Sequence, residues 1–407
     1  MKMADASWTL GGRKALWVFG GALLCATAIK LLLAYFTYGT NDVMYYAAYA
    51  EKIANMGGIA LYRDGVNVTR ADGSQVWEGF WHPPLTLRFI ETVTLLQRMT
   101  GLPFPFLVRL PYILFDIGTA VLLWKLLRSG FASRTGLAGA CTIAASPMLI
   151  MLSGFHGNPE PVVVFLLTLT LWLLETRRDA WLVGLAYAGA LSLKLWPAVL
   201  GPVIVFTLPD WRARFRFAAV ASGAWFLSSM PELAQDPTLV LGNMLGYHSV
   251  YGVWGTSRFV SLSHWQFLDA LFHRYGSFLA VLLVFAAAIW AGRKSYCRPI
   301  YSFGFVMSLF LVLTPGFGIQ YLLWVFPWMV ALGTEMFWIY SIAASLFMFH
   351  VYTTWSGGFP WFLADSTYAV SWSGSLIWHE MLCWSVVLLS LILFTEEVLH
   401  SPRDAKA

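Results

Sequence analysis

Long apolar segments separated by short polar ones recur along the whole chain. Residues 162–174 and 281–289, for example, contain no charged side chain. A helix needs roughly 20 mostly apolar residues to cross the hydrocarbon core of a bilayer. The pattern therefore predicts an all-α polytopic membrane protein, with residues 1–407 forming a single integral membrane domain.

About twelve segments are apolar enough to be membrane spans. They are residues 15–37, 105–127, 135–152, 160–175, 180–195, 196–208, 216–231, 267–291, 299–314, 320–334, 336–355 and 377–395. Polar or helix-breaking residues near Lys194 and Gly333 interrupt two neighbouring pairs, so a re-entrant or broken helix fits there as well. The first segment follows Arg13 and Lys14 without an evident small-residue cleavage site, and we expect it to remain as an uncleaved span.

Composition and charge agree with this class of protein. The chain is 58% hydrophobic and 12% charged, whereas soluble domains are about 25% charged. The net charge of +5 comes from basic residues scattered in short clusters between apolar segments, so we expect membrane lipids as partners and no nucleic acid. The four cysteines lie far apart without metal-ligand spacing, which predicts small apolar fillers.

The basic residues indicate an orientation in the membrane. If the segments alternate, one side receives sixteen of the 26 Lys and Arg residues: Lys2, Arg13, Lys14, Lys125, Arg128, Arg134, Arg177, Arg178, Arg212, Arg214, Arg216, Arg293, Lys294, Arg298, Arg403 and Lys406. This excess follows the positive-inside rule, so we expect that side to be cytoplasmic.

Three long polar segments then lie on the opposite, external side. The first, residues 38–104, contains two amphipathic helical patterns, NDVMYYAAYAEKIANMGG and PPLTLRFIETVTLLQRM, typical of interfacial helices. The second covers residues 232–266 and the third residues 356–376. Trp and Tyr are frequent in all three. Interfacial aromatic belts explain part of this content, and the concentration on one side also indicates a cavity there.

Four short motifs resemble the GT-C superfamily of integral membrane glycosyltransferases, most closely the bacterial mannosyltransferases that use polyprenyl-phosphate mannose. In chain order they are residues 39–42 with the tyrosine pair 45–46, residues 80–85 (FWHPPL), residues 153–161 (SGFHGNPEP) and residues 316–328 (GFGIQYLLWVFPW). The resemblance implies a GT-C fold and transfer of a hexose, expected to be mannose, from a polyprenyl-phosphate donor. The acceptor would be a lipid, a glycan or a protein, and the site would face outward from a bacterial cell membrane. No cofactor is expected.

The resemblance also implies an acidic catalytic base in the first external loop, and the matching position is Asp42. An acceptor hydroxyl must lose its proton as it attacks the anomeric carbon, and a nearby carboxylate can take it. A single base would give inversion. Asp42 follows the first span, where partial desolvation is expected to raise its basicity. As a structural alternative, Asn41 or Asp42 caps the helix that follows.

Other polar residues of the external side are candidates for binding donor or acceptor. The resemblance puts the donor phosphate near Arg258, with His248 beside it, because arginine can donate two hydrogen bonds to phosphate oxygens. Lys194 is the other candidate cation, with a snorkelling lysine as the alternative. Further candidates are His82, His156, Asn158, Glu160, Gln320 and Tyr321. Each of these also fits an ordinary polar turn, a stiffened loop or a helix cap. His156 with Glu160 falls short of a metal site, and none is expected.

Two other functions fit a chain of this kind. A transporter or lipid flippase also has many helices, but transporters usually show related halves and discontinuous helices near the midplane. Here the halves differ, and the polar groups gather on one side. A non-catalytic subunit of an envelope-assembly complex would keep the fold without needing Asp42. If Asp42 is not the base, Glu78 and Glu160 are the next candidates.

Overall fold

The protein, seen here as a computed structural model, is a bundle of helices with short strand pairs at one end. The structure describes residues 12–70, 72–127, 141, 143–247, 249–263, 265–294, 297–365 and 373–400. Several residues of the sequence predictions lie outside these ranges, namely Lys2, Arg128, Arg134, His248, Arg403 and Lys406, together with part of the third external segment.

The described α-helices are α1 (Gly12–Phe36), α2 (Asn41–Met56), α3 (Gly58–Asp64), α4 (Pro84–Thr100), α5 (Phe104–Leu126), α6 (Pro147–Met151), α7 (Glu160–Glu175), α8 (Ala180–Leu193), α9 (Gly201–Thr207), α10 (Trp211–Leu233), α11 (Pro237–Leu245), α12 (Gly255–Leu262), α13 (Gln266–Gly292), α14 (Pro299–Leu313), α15 (Phe326–Met329), α16 (Thr334–Trp355) and α17 (Gly374–His400). The described strands are β1 (Gly39–Thr40), β2 (Val66–Thr69), β3 (Gln75–Glu78), β4 (Val250–Tyr251), β5 (Gly316–Phe317) and β6 (Leu363–Ala364).

Five of the described helices are long and apolar enough to cross a membrane. They are Lys14–Phe36, Phe104–Leu126, Gln266–Gly292, Thr334–Trp355 and Gly374–His400. Shorter apolar helices occupy Pro147–His156, Ala180–Leu193, Trp196–Thr207, Pro299–Leu313 and Ile319–Leu332. These helices lie in segments that the hydrophobic pattern predicts, and they agree with a multi-pass integral membrane protein. The total of about twelve spans remains a prediction.

The helices are interrupted at both places where the sequence left a break open. After α8 the backbone is extended at Lys194, with φ −149° and ψ 148°, and a 3-10 turn covers Trp196–Leu200 before α9. Pro197 cannot donate a backbone hydrogen bond, so a regular helix does not continue there. Before α16, Gly333 has a φ of +108°, and 3-10 and α turns alternate over Ile319–Leu332.

Basic side chains lie at the end of the bundle opposite Asp42. The α7 helix begins at Glu160, and after its far end Arg178 lies 6.0 Å from the ring centroid of Trp172. Lys125, in the last turn of α5, lies 5.9 Å from the same ring. Two of the basic residues on which the orientation prediction rests thus lie at the end of the bundle away from Asp42.

Three strand pairs join segments that are far apart in sequence. Strand β1 pairs in parallel with β6, β2 pairs with β3 as a hairpin, and β4 pairs antiparallel with β5. The first pair connects the first and third predicted external segments, and the last pair connects the second segment to the residues before Ile319. These links bring the polar segments together around one end of the helices.

A buried ion pair lies between two of the long apolar helices. Lys30 of α1 contacts Asp116 of α5, and each side chain is about 2% exposed. Ser153 donates a hydrogen bond to the same Asp116 carboxylate at 3.1 Å. Charges at membrane depth are costly unless they are paired, so this pair fixes α1 against α5 and the turn that follows α6.

Candidate functional site

Asp42 lies in the first turn of α2. The hydroxyl oxygen of Thr40 accepts a hydrogen bond from the backbone N–H of Asp42 at 3.4 Å, so Thr40 caps the helix. The capping role considered for Asn41 or Asp42 is therefore wrong. A carboxylate in the first turn interacts favourably with the helix dipole, and its side chain remains 23% exposed.

The carboxylate of Asp42 contacts two residues of the SGFHGNPEP motif. Asn158 Nδ2 donates to Asp42 Oδ2 at 2.6 Å, and His156 Nε2 lies 3.3 Å from the same oxygen. The Asn158 amide is oriented because its Oδ1 accepts from the backbone N–H of Glu160 at 3.3 Å. His156 Nδ1 lies 2.8 Å from the hydroxyl of Tyr352. The first and third motifs thus form one hydrogen-bonded group.

These contacts determine the protonation of Asp42. Burial by itself raises the pKa of Asp42, but the contact with His156, the hydrogen bond from Asn158 and the charge of Lys194 together bring it below the ordinary value of 3.8. The expectation of raised basicity is therefore wrong. The carboxylate is ionised at neutral pH and ready to accept a proton, although it is a weaker resting base than an unpaired one.

Arg109 holds the backbone around this group in place. Its side chain is fully buried and donates to the carbonyls of Ala34 and Thr37 at the end of α1, at 2.9 and 2.5 Å. It also donates to the carbonyls of Gly154 and Phe155 in the π-helix that follows α6, at 3.1 and 3.2 Å. Asp42 follows the first segment and His156 the second, so Arg109 sets their separation.

Two glycines allow the close approach of these segments. Gly39 has a φ of +105° and Gly157 a φ of +86°, a region that residues with a Cβ rarely adopt. A Cβ on Gly157 would lie 2.2 Å from Val43 Cγ2, and one on Gly39 would lie 2.7 Å from the carbonyl oxygen of Phe155. A side chain at either position would separate Asp42 from its partners.

Two adjoining cavities open beside Asp42 and Glu160. The Asp42 cavity, of about 530 Å³, is lined by Asn41, Asp42, Tyr45, Tyr46, Tyr49, Glu78, Trp81, His82, His156, Asn158, Lys194, Gly246, Tyr247, Ser249, Val250, Val253, Phe317, Gly318, Ile319, Gln320, Val351 and Trp355. The Glu160 cavity, of about 640 Å³, has among its lining residues Glu160, Trp196, His273, Arg274, Phe310, Tyr321 and Trp324. Trp81, His82, Lys194, Tyr247 and Ser249 line both. Each volume is within the range of about 300 to 1,000 Å³ usual for ligand sites.

Lys194 is placed between two carboxylates. It lines both cavities and interacts electrostatically with Glu160 and Asp42. Its ammonium lies 6.0 Å from the ring centroid of Tyr247. A cation in the shared wall of two cavities is suited to bind an anionic group that extends into both.

Arg258 lies outside both cavities. Its Nε donates to Glu380 Oε2 at 3.1 Å, and Glu380 Oε1 accepts from the backbone N–H of Gly255 at 2.9 Å. Arg258 therefore joins α12 to α17, and this geometry does not favour the predicted contact with a donor phosphate. Its suggested partner His248 lies outside the described residues.

Two further ionisable groups line the Asp42 cavity. Burial raises the pKa of Glu78 to about 7, and the charge of Asp42 adds to this rise, while a 3.0 Å hydrogen bond from Trp81 partly offsets it. Burial and the charge of Lys194 lower the pKa of His82 well below its ordinary value of 6.5. His82 is therefore neutral near pH 7, and Glu78 changes charge there.

The structure brings together every described candidate except Arg258. The sequence analysis did not single out Arg109, Tyr352, Trp196 and Trp324 as parts of the site. An isolated arginine in an apolar helix was a usable signal, because such charges are rare and usually functional. Within the described ranges, no three His, Cys, Asp or Glu side chains are grouped so that they could hold a metal ion.

Part of the chain matches a known family. Residues 81–234 match the family described as dolichyl-phosphate-mannose-protein mannosyltransferase. This segment contains His82, His156, Asn158, Glu160 and Lys194.

The chain is also similar to GPI mannosyltransferase 1 of Saccharomyces cerevisiae. The two are 23% identical over 207 residues, which are 50% of this chain and 48% of that relative. The match thus spans about half the length of the curated relative.

The fold is similar to that of ArnT from Cupriavidus metallidurans. The apo structure of ArnT aligns with a TM-score of 0.50 at 16% identity, covering 96% of this chain and 78% of ArnT. The structure of ArnT bound to undecaprenyl phosphate aligns with a TM-score of 0.49 at 14% identity and the same coverage. Part of this chain is therefore similar to mannosyltransferases, and its fold is similar to that of ArnT.

Proposed function

We propose that the protein transfers a hexose, expected to be mannose, from a polyprenyl-phosphate donor to an acceptor at the external face of the membrane. The acceptor is a lipid, a glycan or a protein. The observation that carries this proposal is the pair of Asp42, ionised and facing a cavity, and Lys194 in the wall of the same cavity. These two groups supply the base and the cation that the transfer needs.

The reaction is a single displacement at the anomeric carbon. The acceptor oxygen forms a bond to that carbon while the bond between the carbon and the phosphate oxygen breaks. Asp42 takes the proton of the acceptor hydroxyl, and the electron pair of the broken bond goes to the phosphate oxygen. One displacement inverts the configuration of the anomeric carbon.

Lys194 replaces Arg258 as the proposed ligand of the donor phosphate. The leaving phosphate gains charge as the bond breaks, and a fixed cation nearby stabilises that charge. Lys194 lines both cavities, whereas Arg258 is paired with Glu380. Lysine binds phosphate as a point charge, so the phosphate can shift as its bond to the sugar breaks.

One observation supports the polyprenyl-phosphate donor, and another supports the orientation of the protein in the membrane. The family that matches residues 81–234 is described by a dolichyl-phosphate mannose donor, which is a polyprenyl-type lipid phosphate. The basic residues at the opposite end of the bundle favour a cytoplasmic location for that end. The site near Asp42 would then face outward, where no nucleotide-sugar binding is expected.

The test is a transfer assay with the purified protein in detergent. Polyprenyl-phosphate mannose, labelled in the sugar, is incubated with the protein and with a membrane lipid extract as the source of acceptor. We expect release of sugar-free carrier phosphate together with a new labelled product. Binding of the donor without release would instead indicate a non-catalytic subunit, and movement of intact donor across vesicles without release would indicate a flippase.

Orientation needs its own measurement. A cysteine replacing Asp72, which is exposed in the first external segment, should react with an impermeant thiol reagent applied to intact cells. Labelling only from the cytoplasmic side would overturn the external site.

A further inference from the structure

Glu160 has one carboxylate oxygen that is bonded and one that is not. Its side chain is fully buried, and Oε2 accepts hydrogen bonds from the indole N–H groups of Trp196 and Trp324, both at 3.0 Å. Oε1 is buried without a hydrogen-bond partner in the part of the chain that the structure describes. An unpaired buried acceptor is destabilising, so a ligand group that donates a hydrogen bond to it would be stabilising.

A stack of aromatic rings forms the wall next to this carboxylate. The rings of Trp196 and Trp324 are stacked with centroids 4.6 Å apart, and Trp324 is stacked on Tyr321 at 3.9 Å. Trp324 is also stacked on Phe310, with ring centroids 5.4 Å apart. All four residues line the Glu160 cavity. Trp196 is only half-buried, so its ring is accessible from the cavity.

This combination limits the chemistry of the ligand. A phosphodiester group has no hydrogen to donate to Oε1, and a hydrocarbon chain would also leave Oε1 without a donor. A hexopyranose ring has hydroxyl groups that donate to a carboxylate and apolar C–H faces that pack on aromatic rings. The cavity of about 640 Å³ is large enough for a ligand of this kind.

We propose that the Glu160 cavity binds the hexose ring of the donor, with a sugar hydroxyl donating to Glu160 Oε1 and the ring face against Trp196. This inference rests on the proposed function and adds a specific subsite to it. Lys194 lines both cavities, so a phosphate bound there lets its sugar enter the Glu160 cavity. The anomeric carbon then lies where the cavities meet, within reach of an acceptor hydroxyl held by Asp42.

The test compares two lipids, one with the sugar and one without it; the sugar-free phosphate monoester also carries more negative charge. Binding of polyprenyl-phosphate mannose and of sugar-free polyprenyl phosphate is measured for the full-length protein and for Glu160→Gln. The glutamine can keep its carbonyl toward the two indole donors and place its amide N–H₂ where Oε1 was, which removes this acceptor. We expect the preference for the mannosylated lipid to fall about tenfold, as for loss of a hydrogen bond to a charged group. Affinity for the sugar-free lipid should not fall.

Two further variants keep the test decisive. Glu51→Gln is the matched control, because Glu51 is an exposed carboxylate on α2, and it should leave both affinities unchanged. Trp196→Phe keeps an aromatic ring and removes one indole donor, so it should lower the sugar preference by a smaller factor. Size-exclusion profiles and thermal unfolding show which variants are folded. If Glu160→Gln is not folded, the sugar preference of Trp196→Phe is the deciding measurement.

The outcomes separate this inference from the proposed function. A wild-type protein that neither binds the mannosylated lipid nor releases its carrier contradicts the proposed function itself. A wild type that does both, with folded variants that keep the full sugar preference, overturns only the hexose subsite. An equal loss of affinity for both lipids in Glu160→Gln also overturns the hexose subsite, because Glu160 would then act by positioning Lys194.

Discussion

Replacing Asp42 by asparagine tests the proposed mechanism most directly. The asparagine has nearly the same size, and its carbonyl can still accept the hydrogen bond from Asn158, but it cannot take a proton from an acceptor hydroxyl. Thr40 caps α2, so no cap is lost. Turnover should therefore fall by roughly 10² to 10⁴, the usual contribution of a positioned base, which is about 3 to 5 kcal/mol in the barrier.

The expected change in stability is much smaller. A charge-assisted hydrogen bond from Asn158 becomes a neutral one, and the contact with His156 loses its charge, which together cost about 1 kcal/mol. Removing the desolvated charge of Asp42 offsets part of this. The pKa of Asp42 is lowered on folding, so its ionised form stabilises the protein above pH 3.8 and this stabilisation is lost as the pH falls. The asparagine variant should therefore not show this decrease in stability at acidic pH.

The assay measures initial rates of carrier-phosphate release at saturating donor, on equal amounts of folded protein. Thermal unfolding is followed in parallel for wild type, Asp42→Asn and the control Asp64→Asn. Asp64 is 42% exposed and pairs with Lys52 in the first predicted external segment, so its variant should keep full activity. An Asp42→Asn protein that retains most of its turnover would refute the assignment, and Glu78 would be tested next as the base.

Three further substitutions have distinct expected results. Lys194→Met should lower kcat/KM for the sugar-donor lipid by about 10²-fold, as for loss of one group that stabilises charge in the transition state. Lys194→Arg should retain more activity than Lys194→Met. Wild-type activity of Lys194→Met at all concentrations of the sugar-donor lipid would exclude Lys194 as the phosphate ligand. Glu78 has a pKa of about 7, so its ionisation adds repulsion as the pH rises through 7. The donor KM should rise there, and Glu78→Gln should flatten both that profile and the loss of stability between pH 4.5 and 7, measured by thermal unfolding. Arg109→Lys should cost about 2 to 4 kcal/mol of stability and should lower kcat more than it changes the KM for the sugar-donor lipid. An unchanged unfolding temperature would contradict the proposal that Arg109 holds the two backbone segments in place.

The helices were predictable because apolar segments depend on local sequence. Both interruptions, near Lys194 and Gly333, were visible in the same way, as a proline or a glycine within an apolar run. The pairing of β1 with β6 was not predictable, because each of these strands has two residues and its partner lies more than 300 positions away. A two-residue strand carries no period that a sequence pattern can reveal.

The site was predictable where a motif places its residues on one short turn. Asp42 was identified from its motif, and His156 and Asn158 from theirs, but the contact between them depends on the buried contacts of Arg109. Arg258 shows the opposite case. The resemblance and its position in a predicted external segment suggested a phosphate ligand. Its partner Glu380 lies 122 positions further along, in an apolar helix where no local pattern indicates a pairing.

In the proposed mechanism, a carboxylate with a low resting pKa has to act as a base, and the charges of the site offer a reason why it can. A donor phosphodiester carries one negative charge, and the phosphate monoester that leaves carries a second one as the bond breaks. This growing charge lies near Asp42 in a partly desolvated cavity, and a nearby like charge raises the pKa of a carboxyl group. Asp42 therefore becomes a stronger base as the leaving group departs. When the proton reaches Asp42, its own charge disappears as the second charge appears on the phosphate, so the total charge beside Lys194 stays constant. In the proposed mechanism Lys194 can therefore act as the cation throughout the transfer.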